Sequence, residues 1–140
     1  MTNWLQLALL AAALWGIVGL LQKLGSNRIN ASSLLIWVTA GYLLALPLFW
    51  KGAGLETLSS KALLLGVLAG SVNGVGTWLL FAAFESGAKA SVAIPLTALY
   101  PLVTVALAYF FLSERLDGLQ WFGVFLAICA GGMLSYETDH

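Results

Sequence analysis

Five long apolar runs alternate with short polar stretches along this chain. They cover roughly Trp4–Gln22, Ser33–Trp50, Ala62–Phe84, Val92–Leu112 and Leu119–Tyr136, and none contains Asp, Glu, Lys, Arg or His. Each approaches the ~20 residues that carry an α-helix across a ~30 Å hydrocarbon layer. The runs lack the alternation of barrel strands, and a helix closes its own backbone hydrogen bonds. The pattern therefore predicts an all-α protein with five transmembrane helices. The connections Lys23–Ser32, Lys51–Lys61, Glu85–Ser91 and Ser113–Gly118 are too short to hold an extramembrane domain. Whatever the chain does, it is expected to do inside the membrane.

Composition sharpens this picture. Of 140 residues, 61% are hydrophobic and 9% charged, where a soluble domain carries about 25% charged residues. One transmembrane domain over residues 1–140, integral to the cell (inner or plasma) membrane, is the expectation. The first run follows no basic residue and exceeds a typical leader's apolar stretch, so it reads as a span. A formal net charge of zero calls for no acidic or basic partner, and nothing resembles a nucleic-acid surface. The lone Cys129 excludes an intramolecular disulfide and reads as a small packing residue. The lone histidine is the last residue, His140, and there is no phosphate loop or metal-ligand spacing. Neither an enzyme, nor a cofactor, nor a metal is expected.

Charge placement bears on orientation. Basic residues accumulate on the cytoplasmic side of membrane proteins. Five spans put Lys51, Lys61 and Arg115 on one side and Lys23, Arg28 and Lys89 on the other. That tie suits a chain that inserts both ways and pairs head to tail with itself. It also suits one orientation fixed by weaker cues.

The helix faces offer candidate chemistry. Gly66, Gly70 and Gly74 form a small-residue series in the third run, with Asn73 and Thr77 on nearly the same face. Small residues let helices approach closely in lipid. A mid-membrane amide needs a partner, so Asn73 reads either as glue between helices or as a ligand contact. In the first run Trp15 stands among Ala8, Ala11, Ala12, Gly19 and Gln22, where an indole fills or lines a pocket. Gly123, Ala127 and Gly131 repeat the small pattern in the fifth run as a packing seam. Trp4, Trp50, Trp121 and Tyr136 read as interfacial anchors.

The fourth run carries two prolines, Pro95 and Pro101. Pro95 is expected in about the first turn, where a missing N–H costs little. Pro101 lies deeper and cannot bond the Thr97 carbonyl, so a bend is expected there. Thr97, Tyr100, Thr104 and Ala108 share one broad face at helical spacing. Irregular backbone at this depth is tolerated beside protein or water. The fourth helix therefore reads as lining a solute path, or else as a static kink. Glu114 and Arg115 read as a solvated cluster that ends this helix.

The stretch "GTWLLFAAFESGAKASVAIPLTALYPLVTVALAYFFLSERLDGLQWFGVFLAICAGGMLSY" resembles the second half of an EamA repeat of the drug/metabolite transporter superfamily. "AALWGIVGLLQKLG" is similar to that repeat's first helix. The resemblance covers nearly all the chain and is weakest in the second helix. It implies a transporter of metabolites or drug-like solutes working by alternating access. Larger members carry two such five-helix repeats in inverted orientation around a cavity. One repeat here implies an antiparallel homodimer that rebuilds ten helices. Trp15, Asn73, Thr77, Thr97, Tyr100 and Thr104 are the candidate substrate-binding residues. A small-molecule substrate and membrane lipid are the expected partners. The related small multidrug resistance proteins use a carboxylate in the first helix for proton coupling, whereas this chain has Leu14, Trp15 and Gly16 there. That coupling is therefore not expected. The alternatives are a non-transporting or half-transporter subunit of a heteromeric complex, and a flippase for lipid-linked substrates.

Overall fold

The computed structural model describes residues 3–50 and 59–136. Lys51 of the charge count, the tail with His140 and the Trp4 side chain lie outside what it describes. Six α-helices follow in order: α1 (Asn3–Ser26), α2 (Ala31–Trp50), α3 (Ser60–Glu85), α4 (Ala90–Thr97), α5 (Tyr100–Leu107) and α6 (Gly118–Ser135), with a π-helical turn at Ala108–Leu112 after α5. No strand occurs among the described residues. Gln6–Ser26, Ala31–Trp50, Ser60–Glu85 and Ala90–Leu112 are each long and apolar enough to cross a membrane. α6 has 18 residues and reaches about 27 Å at 1.5 Å per residue, at the short end of a span. This is a polytopic, all-helical membrane protein.

The chain forms two compact units, Met1–Gly87 and Ala88–His140. In the first, the α1 C-terminus, the α2 N-terminus and the α3 C-terminus meet. α1 and α3 therefore run in the same direction, with α2 antiparallel to both. Charged and polar groups tie this end together. The Lys23 ammonium donates to the Phe84 carbonyl at 3.3 Å and lies 5.2 Å from the Phe84 ring centroid. Glu85 Oε2 accepts the Ala31 N–H at 2.9 Å, and Asn30 Oδ1 accepts the Ser33 N–H at 2.8 Å. These bonds satisfy donors of the first turn of α2 that have no partner within the helix, and the carboxylate meets the positive end of the helix dipole. Lys23 does the converse for a terminal carbonyl of α3.

The buried apolar residues of this unit gather at the same end: Ala31, Leu34, Phe81 and Phe84, with Phe81 wholly enclosed. Gly25 admits the closest approach, since a Cβ there would lie 2.7 Å from Leu34 Cδ1. Further along, Trp78 Nε1 donates to Ser32 Oγ at 3.1 Å and ties α3 to α2. The remaining apolar side chains of α2 and α3 are largely exposed. Gly66, Gly70 and Gly74 have nothing within 4 Å of an added Cβ. The expected small-residue series is thus an uncovered face within this chain.

The second unit departs most from expectation. The fourth run is not one bent helix. α4 ends at Thr97 and α5 begins at Tyr100. Ala98 N–H still bonds Ile94 O at 2.9 Å, but Leu99 N–H bonds Leu96 O and Leu102 N–H bonds Leu99 O, each three residues back. The break thus falls at Ala98–Leu99 and precedes Pro101. Pro101 occupies the first turn of α5, where no N–H is required. Pro95 is the sixth residue of α4, in its second turn rather than its first. Leu99 packs against Gly131 of α6 so closely that any Cβ at position 131 would collide with Leu99 Cδ1. Gly131 is buried, while Gly123 has open space around it, so the expected seam is in use at one end only. Cys129, read as a packing residue, is exposed. α6 opens with a capping box: Asp117 Oδ1 accepts the Gln120 N–H and Gln120 Oε1 accepts the Asp117 N–H, both at 2.8 Å.

Candidate functional site

The candidate residues fall in both units. Trp15, Asn73 and Thr77 belong to the first, and Thr97, Tyr100 and Thr104 to the second. Asn73 is the fourteenth of the 26 residues of α3 and is exposed. Its side-chain amide makes no hydrogen bond among the described residues. Thr77, one turn on, donates to the Asn73 carbonyl at 2.8 Å. The two therefore share a face, with the Thr77 hydroxyl turned to its own helix. Taking an amide out of water into hydrocarbon costs free energy until a partner restores its bonds.

Trp15 is 65% exposed on α1. It stands apart from the apolar cleft that the structure forms between α1 and α2. That cleft, about 250 Å³, is lined by Val18, Leu21 and Gln22 from α1 and by Leu34, Val38, Gly41 and Tyr42 from α2. Gln22 and Tyr42 are its polar side chains. Sequence reasoning missed this cleft, because aliphatic residues on two facing helices carry no signal that separates a gap from a packed seam.

In the second unit, the break at Ala98–Leu99 falls between Thr97 and the pair Tyr100 and Thr104. Thr97 donates to Ile94 O at 3.0 Å and closes the last turn of α4. Tyr100 opens α5 and is exposed, with Thr104 one turn later. Thr104 lines a cavity of about 120 Å³ together with Val105, Ala108, Glu114 and Leu116. Glu114, read as a solvated helix end, is exposed and also borders this recess. Among the described residues no group of three or more His, Cys, Asp or Glu is placed to hold a metal ion.

The model of the EamA-like transporter family matches residues 2–136. An uncharacterized protein of Methanocaldococcus jannaschii is similar, at 29% identity over 132 residues, covering 94% of this chain and 96% of that one. No solved structure gives a significant match. The apolar helices, the EamA-type sequence and the match over almost the whole length together place the chain in the EamA-like transporter family.

Proposed function

We propose that the chain is a small transporter that moves metabolites or drug-like solutes across the inner or plasma membrane by alternating access, as an antiparallel homodimer of one transmembrane domain per chain. The observation that carries this reading is Asn73. Its amide is unbonded in the middle of α3, on a helix whose Gly66, Gly70 and Gly74 have open space beside them. Such a face suits close approach by a second copy and contact with a polar solute. Trp15, Thr77, Thr97, Tyr100 and Thr104 complete the proposed substrate-binding set. The equal numbers of basic residues on the two sides support dual insertion.

The test has two arms. Reporters active only in the cytoplasm or only outside it are fused to the C-terminus in two parallel fusions. Strong signal from both supports the antiparallel pair, and signal from one alone overturns it in favour of an oppositely oriented partner subunit. Uptake or efflux of a panel of fluorescent solutes is then compared between wild type and Asn73→Leu at equal membrane levels. Transport lost in the variant supports the assigned role, and unchanged transport removes Asn73 from the site.

The α1–α2 cleft favours one second reading, a flippase for lipid-linked substrates. Its lining is almost wholly apolar and suits an acyl or polyprenyl chain. Scrambling of a fluorescent lipid in reconstituted vesicles separates the two.

A further inference from the structure

We propose that Glu114 and Thr104 form a binding subsite for a small monovalent cation, an alkali ion or a protonated amine. The subsite is built by the irregular end of the second unit. The π-helical turn at Ala108–Leu112 widens the helix end, and such turns recur at functional positions. Ser113 then takes the left-handed conformation at φ 57°, which a residue with a side chain enters at a cost. The Ser113 N–H bonds the Ala108 carbonyl, and the Glu114 N–H approaches the same oxygen at 3.4 Å. The chain thereby turns back on itself. Glu114 and Leu116 come to line one cavity with Thr104, Val105 and Ala108 of the preceding turns.

Two side chains in that lining are polar, Thr104 and Glu114; both residues are exposed at the mouth of the recess, and neither side chain bonds another described residue. Thr77 and Thr97 donate to carbonyls of their own helices. The Thr104 hydroxyl makes no such bond among the described residues. The described carboxylates differ in the same way. Glu85 accepts the Ala31 N–H and Asp117 accepts the Gln120 N–H. The Glu114 carboxylate is exposed and has neither a hydrogen bond nor an ion pair among the described residues, although Arg115 is next to it in the chain. A carboxylate and a hydroxyl oxygen supply one negative charge and acceptor lone pairs, which match a singly charged ion. The cavity, about 120 Å³, exceeds the roughly 10–15 Å³ that one water requires. It has room for a small cation with part of its hydration. Val105, Ala108 and Leu116 supply the apolar walls.

This inference stands without the transport reading and is tested without a transported solute. The full chain, purified in detergent, is heated in sodium, potassium or methylammonium chloride and in N-methyl-D-glucamine chloride at equal ionic strength. A saturable rise in Tm with at least one small cation over the bulky one is expected. A response to methylammonium alone identifies an organic ammonium site, and a response to sodium or potassium an inorganic one. Glu114→Gln should abolish the rise, and Thr104→Val should raise the half-saturating concentration by about fivefold or more. Arg115→Gln should retain the response. No separation of small from bulky cations in wild type, or the same response in Glu114→Gln, overturns the proposal. If Glu114→Gln does not fold, Thr104→Val decides: an unchanged half-saturating concentration overturns the proposal.

Discussion

Lys23 holds Phe84 twice, through its ring face at 5.2 Å and its backbone carbonyl at 3.3 Å. One ammonium thus joins the ends of α1 and α3, 61 residues apart in sequence. An ammonium over an aromatic face contributes about 0.5–2 kcal/mol, more where water is excluded, and a cation also favours a helix C-terminus. Lys23→Met keeps most of the side-chain length and loses both terms. It should destabilise the chain by about 1–2 kcal/mol, read as a lower Tm in detergent, while Lys23→Arg should recover most of the loss. Equal Tm values for Lys23→Met and wild type would show that the contact stabilises nothing.

The pairing of Leu99 with Gly131 gives a size test. Ala is the better helix former by about 1 kcal/mol, so Gly131→Ala would stabilise an unobstructed position. Here the added methyl meets Leu99 Cδ1, and overpacking of this kind costs about 1–3 kcal/mol. Gly131→Ala should therefore lower Tm, and Gly131→Ala with Leu99→Ala should be more stable than the two single losses sum to. Strict additivity in the double-mutant cycle would dissociate the two positions.

Ser113 is the described non-glycine residue with positive φ, at 57°. Ser113→Gly should stabilise by about 0.5–1 kcal/mol, since glycine enters this region freely. Ser113→Val should lower Tm, because a β-branched side chain fits the left-handed region worst. A Tm order of valine above glycine would contradict the turn geometry.

At the start of α6, Asp117→Ala removes the side-chain half of the capping box. A loss of about 1 kcal/mol is expected. Asp117→Asn keeps an oxygen for the Gln120 N–H and should lose less. Thermal melts of the three proteins in one detergent rank them directly.

The spans were legible because charge is costly in hydrocarbon, so runs without Asp, Glu, Lys, Arg or His announce themselves. The order of α1, α2, α3 and α6 follows from that, while α1 and α3 extend past their charge-free runs to take in Lys23, Lys61 and Glu85. The interruption of the fourth run was legible from Pro101, and it falls at Ala98–Leu99, between Thr97 and Pro101. Pro101 suits the first turn of a new helix, so the interruption belongs before it, at Ala98–Leu99. The capping box of Asp117 and Gln120, three apart, went unread in the sequence because the fifth run was bounded only by its apolar residues. Other features needed the fold. Which glycine is used depends on what faces it: Gly25 meets Leu34 and Gly131 meets Leu99, whereas Gly66 meets nothing. The site was legible only as residue types. Thr104 and Glu114 are ten positions apart, and only the π-helical turn and the left-handed Ser113 bring both to one cavity.

The clasp between Glu85 and Ala31 also has a consequence in time. Glu85 follows Ala31 by 54 residues, and Phe84, which Lys23 grips, is made just before it. During synthesis the hairpin of α1 and α2 exists before the residues that fasten its turn. Until the ribosome has delivered the end of α3, the first N–H of α2 lacks its carboxylate and Lys23 lacks its ring. The half-made hairpin is then the form a membrane chaperone or quality-control protease meets, and a nascent chain stalled before Glu85 exposes an end that the finished protein keeps closed.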